Sequence, residues 1–377
     1  MEKILILGGT GAMGKHLVEK LAGSEYLVYV TSRESHASIG NVIYLKGNAK
    51  DTTFLNPLLK MEHYHSIFNF MTYTTDQFKE IVKPLLEATD HYFFLSSSRV
   101  YADSDEPISE NNPRLLDTIE DQEYLSTDNY ALAKARQEDI LKENGLRNWT
   151  IIRPYLTYSE TRLQLGFFEQ NTWLLRALEG KTVVFSKDLA DKYTTLTYGA
   201  DVADILYKLI GKKEALGEVL QITCGQSLKW GDILSIYVDE LKSITGKEIK
   251  VRMLETAPIN IIPTEKWTYK YDRLFNRRFR GDKLESILGI PPIFTSPEVG
   301  LRKCIREFVK NPNEKGYSWR IEAQIDKVTG ENIPPHVITT RRQYLSYLSY
   351  RYLNPSVIKI QKDMKNMIKR LIRRIGR

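Results

Sequence analysis

Through the first half of the chain, short continuous apolar runs alternate with amphipathic stretches. Ile4–Leu7, Tyr26–Val30, Val42–Leu45, Ser66–Met71 and His91–Leu95 are each of strand length. Their apolar residues are mostly consecutive rather than alternate, as in parallel strands buried on both faces. Between the runs, apolar residues recur three or four apart. Met13, Leu17, Val18 and Leu21 share one face of a helix expected over Ala12–Leu21. Further helices are expected from Asp51 through Leu59 and over Phe78–Ala88. This alternation predicts an α/β fold, a doubly wound parallel sheet with right-handed crossovers. Downstream, Thr182–Phe185 and Val219–Thr223 read as strands, and Phe167–Leu178 and Trp230–Ile244 as helices.

The joint between the first strand and first helix carries Gly8, Gly11 and Gly14 at a G-x-x-G-x-x-G spacing. Glycines let a backbone turn tightly and approach a pyrophosphate, whose charge the free N–H groups of the helix start would hold. The second strand ends at Thr31-Ser32-Arg33. An acid there would accept hydrogen bonds from the ribose 2′-OH of NAD, whereas a hydroxyl and a guanidinium suit the 2′-phosphate of NADP. NADP is therefore expected ahead of NAD; the plainer alternative is that Arg33 is a solvated loop residue.

The fifth run leads into Ser96-Ser97-Ser98-Arg99 at the carboxyl edge of the expected sheet, where ligands bind. A serine-rich helix cap is the other use for such a run. Tyr130 and Lys134, downstream, lie four apart and so on one helix face. A phenol with an ordinary pKa of about 10 becomes a usable base near neutral pH when an ammonium lies beside it.

Composition changes this picture little. Of 377 residues, 42% are hydrophobic, enough for a sizeable core. Cys224 and Cys304 are too few for a disulfide framework or a zinc site, which fits a reducing cytosol. His63 and His65 lack a third ligand, so no metal is expected. No apolar run has the length of a membrane span or a signal peptide, and a cytoplasmic location is expected. Charge is more informative. The net charge is +7, yet Arg341–Arg377 holds eleven Lys/Arg and one acid, so the rest of the chain is mildly acidic. Tyr344, Tyr347 and Tyr350 mark a helix over Arg341–Leu353. Beyond Pro355, Val357, Ile360, Met364, Met367, Leu371 and Ile375 recur three or four apart among lysines and arginines. A basic amphipathic helix of this kind suits an anionic membrane surface, or docks on its own body or a second subunit.

The segments GGTGAMG from Gly8, SSSRVYADSDEPISE over Ser96–Glu110, YALAK over Tyr130–Lys134 and IIRPYLTY over Ile151–Tyr158 resemble the extended short-chain dehydrogenase/reductases. The group most resembled is the NAD(P)-dependent nucleotide-sugar epimerase/dehydratase family, with TLTYGADVA at Thr195 and LGIP at Leu288 fitting its later parts. The resemblance implies a Rossmann domain over 1–165, a substrate-binding lobe over 166–312, and a C-terminal extension over 313–377 outside the family core. It implies Tyr130 as base and acid, Lys134 as its pKa-lowering partner and ribose ligand, and Ser97 as hydrogen bonder to the reacting oxygen, with Ser98 as fallback. Gly8, Thr10, Gly11, Ala12, Met13 and Gly14 would wrap the pyrophosphate, and Asn48 and Ala49 would lie beside the adenine. Phe70, Met71 and Thr72 would line the cofactor, with Pro154 and Tyr155 behind the nicotinamide. Ser98 and Lys192 are implied substrate contacts. Arg273, Arg277, Arg278 and Arg280 read either as a grip on a nucleotide diphosphate or as a basic surface helix.

Three departures from the family pattern stand out: Asn69–Thr72 is bulkier than usual, Leu156 replaces an asparagine, and Ala102 replaces a glycine. The implied activity is epimerisation, or keto-sugar reduction, of a nucleotide-activated sugar for surface polysaccharide or glycan synthesis by a homodimer. Dehydration ranks last, because Ser98 and Arg99 occupy the positions of the acid pair it needs. An alternative is a non-catalytic RNA-binding protein on the same fold, its basic tail gripping phosphates. The retained serine, tyrosine and lysine, and the apolar stripe of the tail, argue against nucleic acid.

Overall fold

In the computed structural model, which describes residues 1–312, 318–333 and 340–353, the continuous apolar runs become a seven-stranded parallel sheet. Its strands are β1 (Lys3–Leu7), β2 (Leu27–Ser32), β3 (Val42–Lys46), β4 (Tyr64–Asn69), β5 (Thr89–Leu95), β6 (Trp149–Pro154) and a last strand, Glu218–Ile222. They lie in the order Glu218–Ile222, β6, β5, β4, β1, β2, β3. The order reverses between β1 and β4, the point where such sheets open a crevice at their carboxyl ends. β1 shows why the run is continuous. Ile4 and Ile6 join the core on one face, while Leu5 and Leu7 join the core on the other. Each such side chain contributes roughly 1.5–3 kcal/mol on burial.

The helices between strands are α1 (Gly14–Leu21), α2 (Thr52–Met61), α3 (Thr75–Glu87), two single turns α4 (Leu115–Thr118) and α5 (Gln122–Leu125), and α6 (Tyr130–Glu143). α1 packs its Leu17–Val18–Leu21 face on the sheet together with helix Gly199–Lys208. α2 and α3 cover the opposite face through Leu55, Leu59, Phe78 and Leu85.

Several boundaries move. β4 ends at Asn69, so Phe70, Met71 and Thr72 leave the sheet at its carboxyl edge. The helix expected from Phe167 starts at Gln170. The residues before it form a tight hairpin of Gln164–Leu165 with Phe168–Glu169 around Gly166, whose φ is +61°.

A further core is built around Trp173, Phe185, Trp230, Tyr237 and Leu301. It lies between helices Gln170–Leu178, Trp230–Thr245 and Pro297–Lys310, with the parallel pair Val183–Ser186 and Val251–Leu254 beside it. Helix Trp319–Thr329 is tied to this body by buried charges. Arg176 reaches Glu322, Asp326 and Glu331, and Lys181 reaches Glu322 and Asp326. Helix Arg341–Tyr352 follows, and its Tyr347 hydroxyl donates to Asp326 at 2.7 Å. The basic stripe expected over 355–377 lies outside the described residues. Among the described residues, no helix is long and apolar enough to cross a membrane.

Candidate active site

At the end of β1 the chain turns through Gly8, whose φ of +79° disfavours any side chain. A Cβ at Gly8 would also lie 2.7 Å from Met71 Sδ, and one at Gly14 would lie 2.8 Å from the Gly9 Cα. At Gly11 a Cβ would meet nothing within 4 Å. The three glycines thus differ: Gly8 makes a tight turn, Gly11 stands in open space, and Gly14 packs helix closely on loop. Gly9, not singled out from sequence, is equally constrained, since a Cβ there would lie 2.6 Å from Val30 Cγ1. α1 starts at Gly14 rather than Ala12, which leaves Thr10–Met13 as loop.

A cleft of about 380 Å³ opens above this turn, lined by Gly8, Thr10, Ser32, Arg33, Asn48 and Ala49 with Phe70, Met71 and Thr72. Gly11, Ala12 and Gly14 do not line it. Ala12 lies against helix Gly199–Lys208 instead, its carbonyl 2.3 Å from where a Cβ on Gly199 would sit. The Ser32 hydroxyl accepts from the Glu34 N–H at 3.2 Å and lies 3.1 Å from His36 Nε2. Arg33 is exposed at the mouth. Lys50 also lines the cleft, and no carboxylate does so among the described residues. Sequence reasoning missed Lys50, because only the turn after the third strand brings it onto the same cleft as Arg33.

A second cleft of about 410 Å³ shares Phe70, Met71 and Thr72 with the first. Ser97, Tyr130 and Lys134 line it together, with Met13, Pro154 and Tyr155 contributing other parts of its wall. Tyr130 opens α6, where the Asn129 side chain caps the helix by accepting from the Ala131 N–H. One turn on, Lys134 is buried and its Nζ donates to the Leu95 carbonyl at 2.7 Å. Burial pulls the Lys134 ammonium down to about 7, against the opposing attraction of Glu138. Glu138, a further turn along α6, is held in turn by the Ser96 hydroxyl and by two bonds from Arg153. Burial pushes the Glu138 carboxyl up, but Arg153 and Ser96 outweigh it and hold it below the usual range. The Ser97 hydroxyl accepts from the Arg99 N–H at 3.2 Å and caps the short turn Ser98–Val100.

Two implied substrate contacts are displaced. Ser98 is wholly buried and donates its hydroxyl to the Arg153 carbonyl at 2.8 Å, so it faces the protein rather than the cleft. Lys192 lies on the turn before Tyr193, its backbone joined to Leu189 and Trp230, and lines neither cleft. The arginine cluster is not a surface helix. Helical geometry ends at Arg273, and Phe279 bridges to Ile108 instead. Arg273 and Arg277 are buried around Asp272, whereas Arg280 pairs with Asp282. Of the four, only Arg273 lines the second cleft, where Arg99, Arg162 and Thr268 join it.

Residues 4–223, more than half of the chain, match the family model described as the NAD dependent epimerase/dehydratase family. No curated protein matches. Solved structures with the same fold include an epimerase, Mth375, from Methanothermobacter thermautotrophicus, at 16% identity and a TM-score of 0.65 over 82% of this chain and 93% of that one. The Bordetella bronchiseptica enzyme WbmH, solved in complex with NAD+, aligns at 14% identity and a TM-score of 0.63, covering 83% of this chain and 100% of that one. A UDP-glucuronic acid 4-epimerase from Bacillus cereus, solved with UDP-glucuronic acid and NAD, aligns at 18% identity and a TM-score of 0.59, covering 81% and 99%. By the extent of that family match, the chain belongs to the NAD dependent epimerase/dehydratase family.

Proposed function

We propose that the protein moves hydride at a ring carbon of a nucleotide-activated sugar, with epimerisation or keto-sugar reduction as the outcome. The observation that carries this reading is the placement of Ser97, Tyr130 and Lys134 on one cleft continuous with the glycine-lined cleft. The nicotinamide dinucleotide, when bound, supplies hydride exchange at its C4. Tyr130 takes the proton from the sugar hydroxyl, or returns it, at its phenolic oxygen. Lys134, in its charged form, favours the phenolate and is oriented by the Leu95 carbonyl. Ser97 holds the reacting oxygen by a hydrogen bond. Arg99 stands where dehydration would call for an acid, which favours the other two outcomes.

The residues fit a dinucleotide: Gly8 makes the turn, Gly11 leaves room, and Asn48 and Ala49 line the far end. Ser32, Arg33 and Lys50 at a mouth without carboxylates favour NADP over NAD, because a 2′-phosphate gains from cations where a free ribose hydroxyl prefers an acid. A place in surface-polysaccharide or glycan synthesis, in the cytoplasm and as a homodimer, belongs to the same proposal.

The test is turnover of a panel of nucleotide sugars by the cofactor-loaded protein, followed by NMR for epimers and by absorbance for reduced nicotinamide. Conversion by wild type and its loss in Tyr130→Phe are expected. Conversion that survives Tyr130→Phe removes Tyr130 from the chemistry. Cofactor binding without conversion of any sugar leaves a non-catalytic protein on this fold.

A further inference from the structure

Three guanidinium groups, two of them on the lining of the second cleft, converge on one buried carboxylate. Asp272, 2% exposed, faces Arg99 Nε at 3.3 Å, Arg277 Nε at 3.1 Å and the Arg273 guanidinium, and it accepts from the Tyr155 hydroxyl at 3.2 Å. Burial raises the Asp272 carboxyl, but the three arginines outweigh that and hold it below the usual range. The lining of the cleft carries Arg99, Arg162, Arg273 and Lys134 against one acid, Glu265. Glu265, on the cleft lining, and Glu169, outside it, both act on Arg273. Arg273 and Arg277 are also bound to the backbone, at Gly166 and at Ala102 and Tyr271. Of the three, Arg99 and Arg273 line the cleft, and Arg99 is the more exposed. Its side chain is 18% exposed, Nη2 donates to Thr268 Oγ1 at 2.6 Å, and its Nε is turned inward to Asp272.

We infer that Arg99 is a specificity residue that binds a carboxylate on the sugar ring, so that the substrate is a nucleotide-activated uronic acid. This rests on the nucleotide-sugar reading above. The Arg99 guanidinium lies 5.2 Å from the centroid of the Tyr130 ring. Tyr130 meets the hydroxyl of the reacting carbon, and Arg99 lines the same cleft, within reach of another group on that sugar. The diphosphate leaves from the anomeric carbon, farther along the cleft. A carboxylate fits the planar donor face of a guanidinium and answers the surplus of positive charge. Asp272 and Thr268 hold Arg99 in place for this contact.

Isothermal titration of the cofactor-loaded protein tests the inference with two sets of probes: UDP-glucuronate, UDP-glucose and UDP, and GDP-mannuronate, GDP-mannose and GDP. For the nucleotide that binds, the uronate should bind at least about tenfold tighter than the neutral sugar, the size of one charge-assisted contact. Arg99→Gln should bring that ratio close to one, and Arg99→Lys should keep part of it. Asp272 retains two arginines in either variant, and cofactor titration reports that each has folded. The inference is overturned by a wild-type ratio near one, or by a uronate preference that survives Arg99→Gln. It is also overturned if Arg99→Gln weakens the free nucleoside diphosphate as much as the uronate, since Arg99 then holds the diphosphate. In these cases the nucleotide-sugar reading stands. Binding of no probe in either set overturns both.

Discussion

Tyr130, Lys134 and Glu138 stand one turn apart along α6, and each sets the surroundings of the next. Lys134 is the residue most sensitive to pH. Its folded pKa of about 7 lies below the ordinary lysine value, so the unfolded chain binds more protons between the two. Stability contributed at this site therefore rises as pH increases from 7 towards 10, by at most about 1.4 kcal/mol per pH unit. Urea unfolding of wild type and Lys134→Met at pH 7 and pH 9 should show this rise only in wild type. A rise of equal size in both would place the proton elsewhere. Under the proposed chemistry, Tyr130→Phe lowers turnover by roughly 10²–10⁴-fold and leaves cofactor affinity close to wild type. Ser98→Ala removes a bond to the Arg153 carbonyl, and so should lower stability by about 1 kcal/mol with little effect on KM.

At the scale of elements, the loop between β1 and α1 separates packing from ligand contact. Gly14→Ala drives a methyl into the Gly9 backbone and should cost about 1–3 kcal/mol of stability. Gly11→Ala meets open space, so thermal unfolding should be unchanged while dinucleotide affinity falls. Equal melting shifts in the two variants would contradict this division. The strands were legible because burial on both faces leaves an unbroken apolar run, as in Ile4–Leu7 and Phe93–Leu95. The pairing of Tyr130 with Lys134 was legible because a helix brings residues four apart onto one face. The arginines at 273–280 were not legible, because what decides their role is Asp272 and a bridge to Ile108, both products of tertiary contact. Lys50 and Gly9 were missed for a related reason. Their importance comes from what the sheet places opposite them, Arg33 across one cleft and Val30 behind one loop. Ser98 was misplaced because adjacent residues in a tight turn point to opposite sides.

Across the whole molecule, the C-terminal helices are fastened by charge rather than by apolar area alone. Arg176 lies among Glu322, Asp326 and Glu331, so Arg176→Met leaves buried Glu322 and Asp326 with Lys181 as their one remaining cation among the described residues. That should destabilise the fold by about 3–5 kcal/mol, read as a lowered urea midpoint. Burial raises the Asp326 carboxyl, but Lys181, Tyr347 and Arg176 hold it below the usual range. Its contribution is thus complete above the ordinary carboxylate pKa and is lost as pH falls through the lowered one. The segment 355–377, read from sequence as basic and amphipathic, predicts sedimentation of the full chain with anionic vesicles. Truncation after Asn354 should abolish it, and vesicle binding that persists would place any membrane contact elsewhere.

A nicotinamide dinucleotide spanning the two clefts would meet Arg33 and Lys50 at its adenosine end. Fluorescence titration of NADPH and NADH into wild type and Arg33→Ala, together with identification of any nucleotide released on denaturation, tests it most directly. Tighter binding of NADPH that weakens in Arg33→Ala, while NADH is little affected, is the predicted result. Binding of neither cofactor would contradict the account. Release of bound NAD from wild type would contradict its assignment of Arg33 and point to an epimerase that recycles its own cofactor.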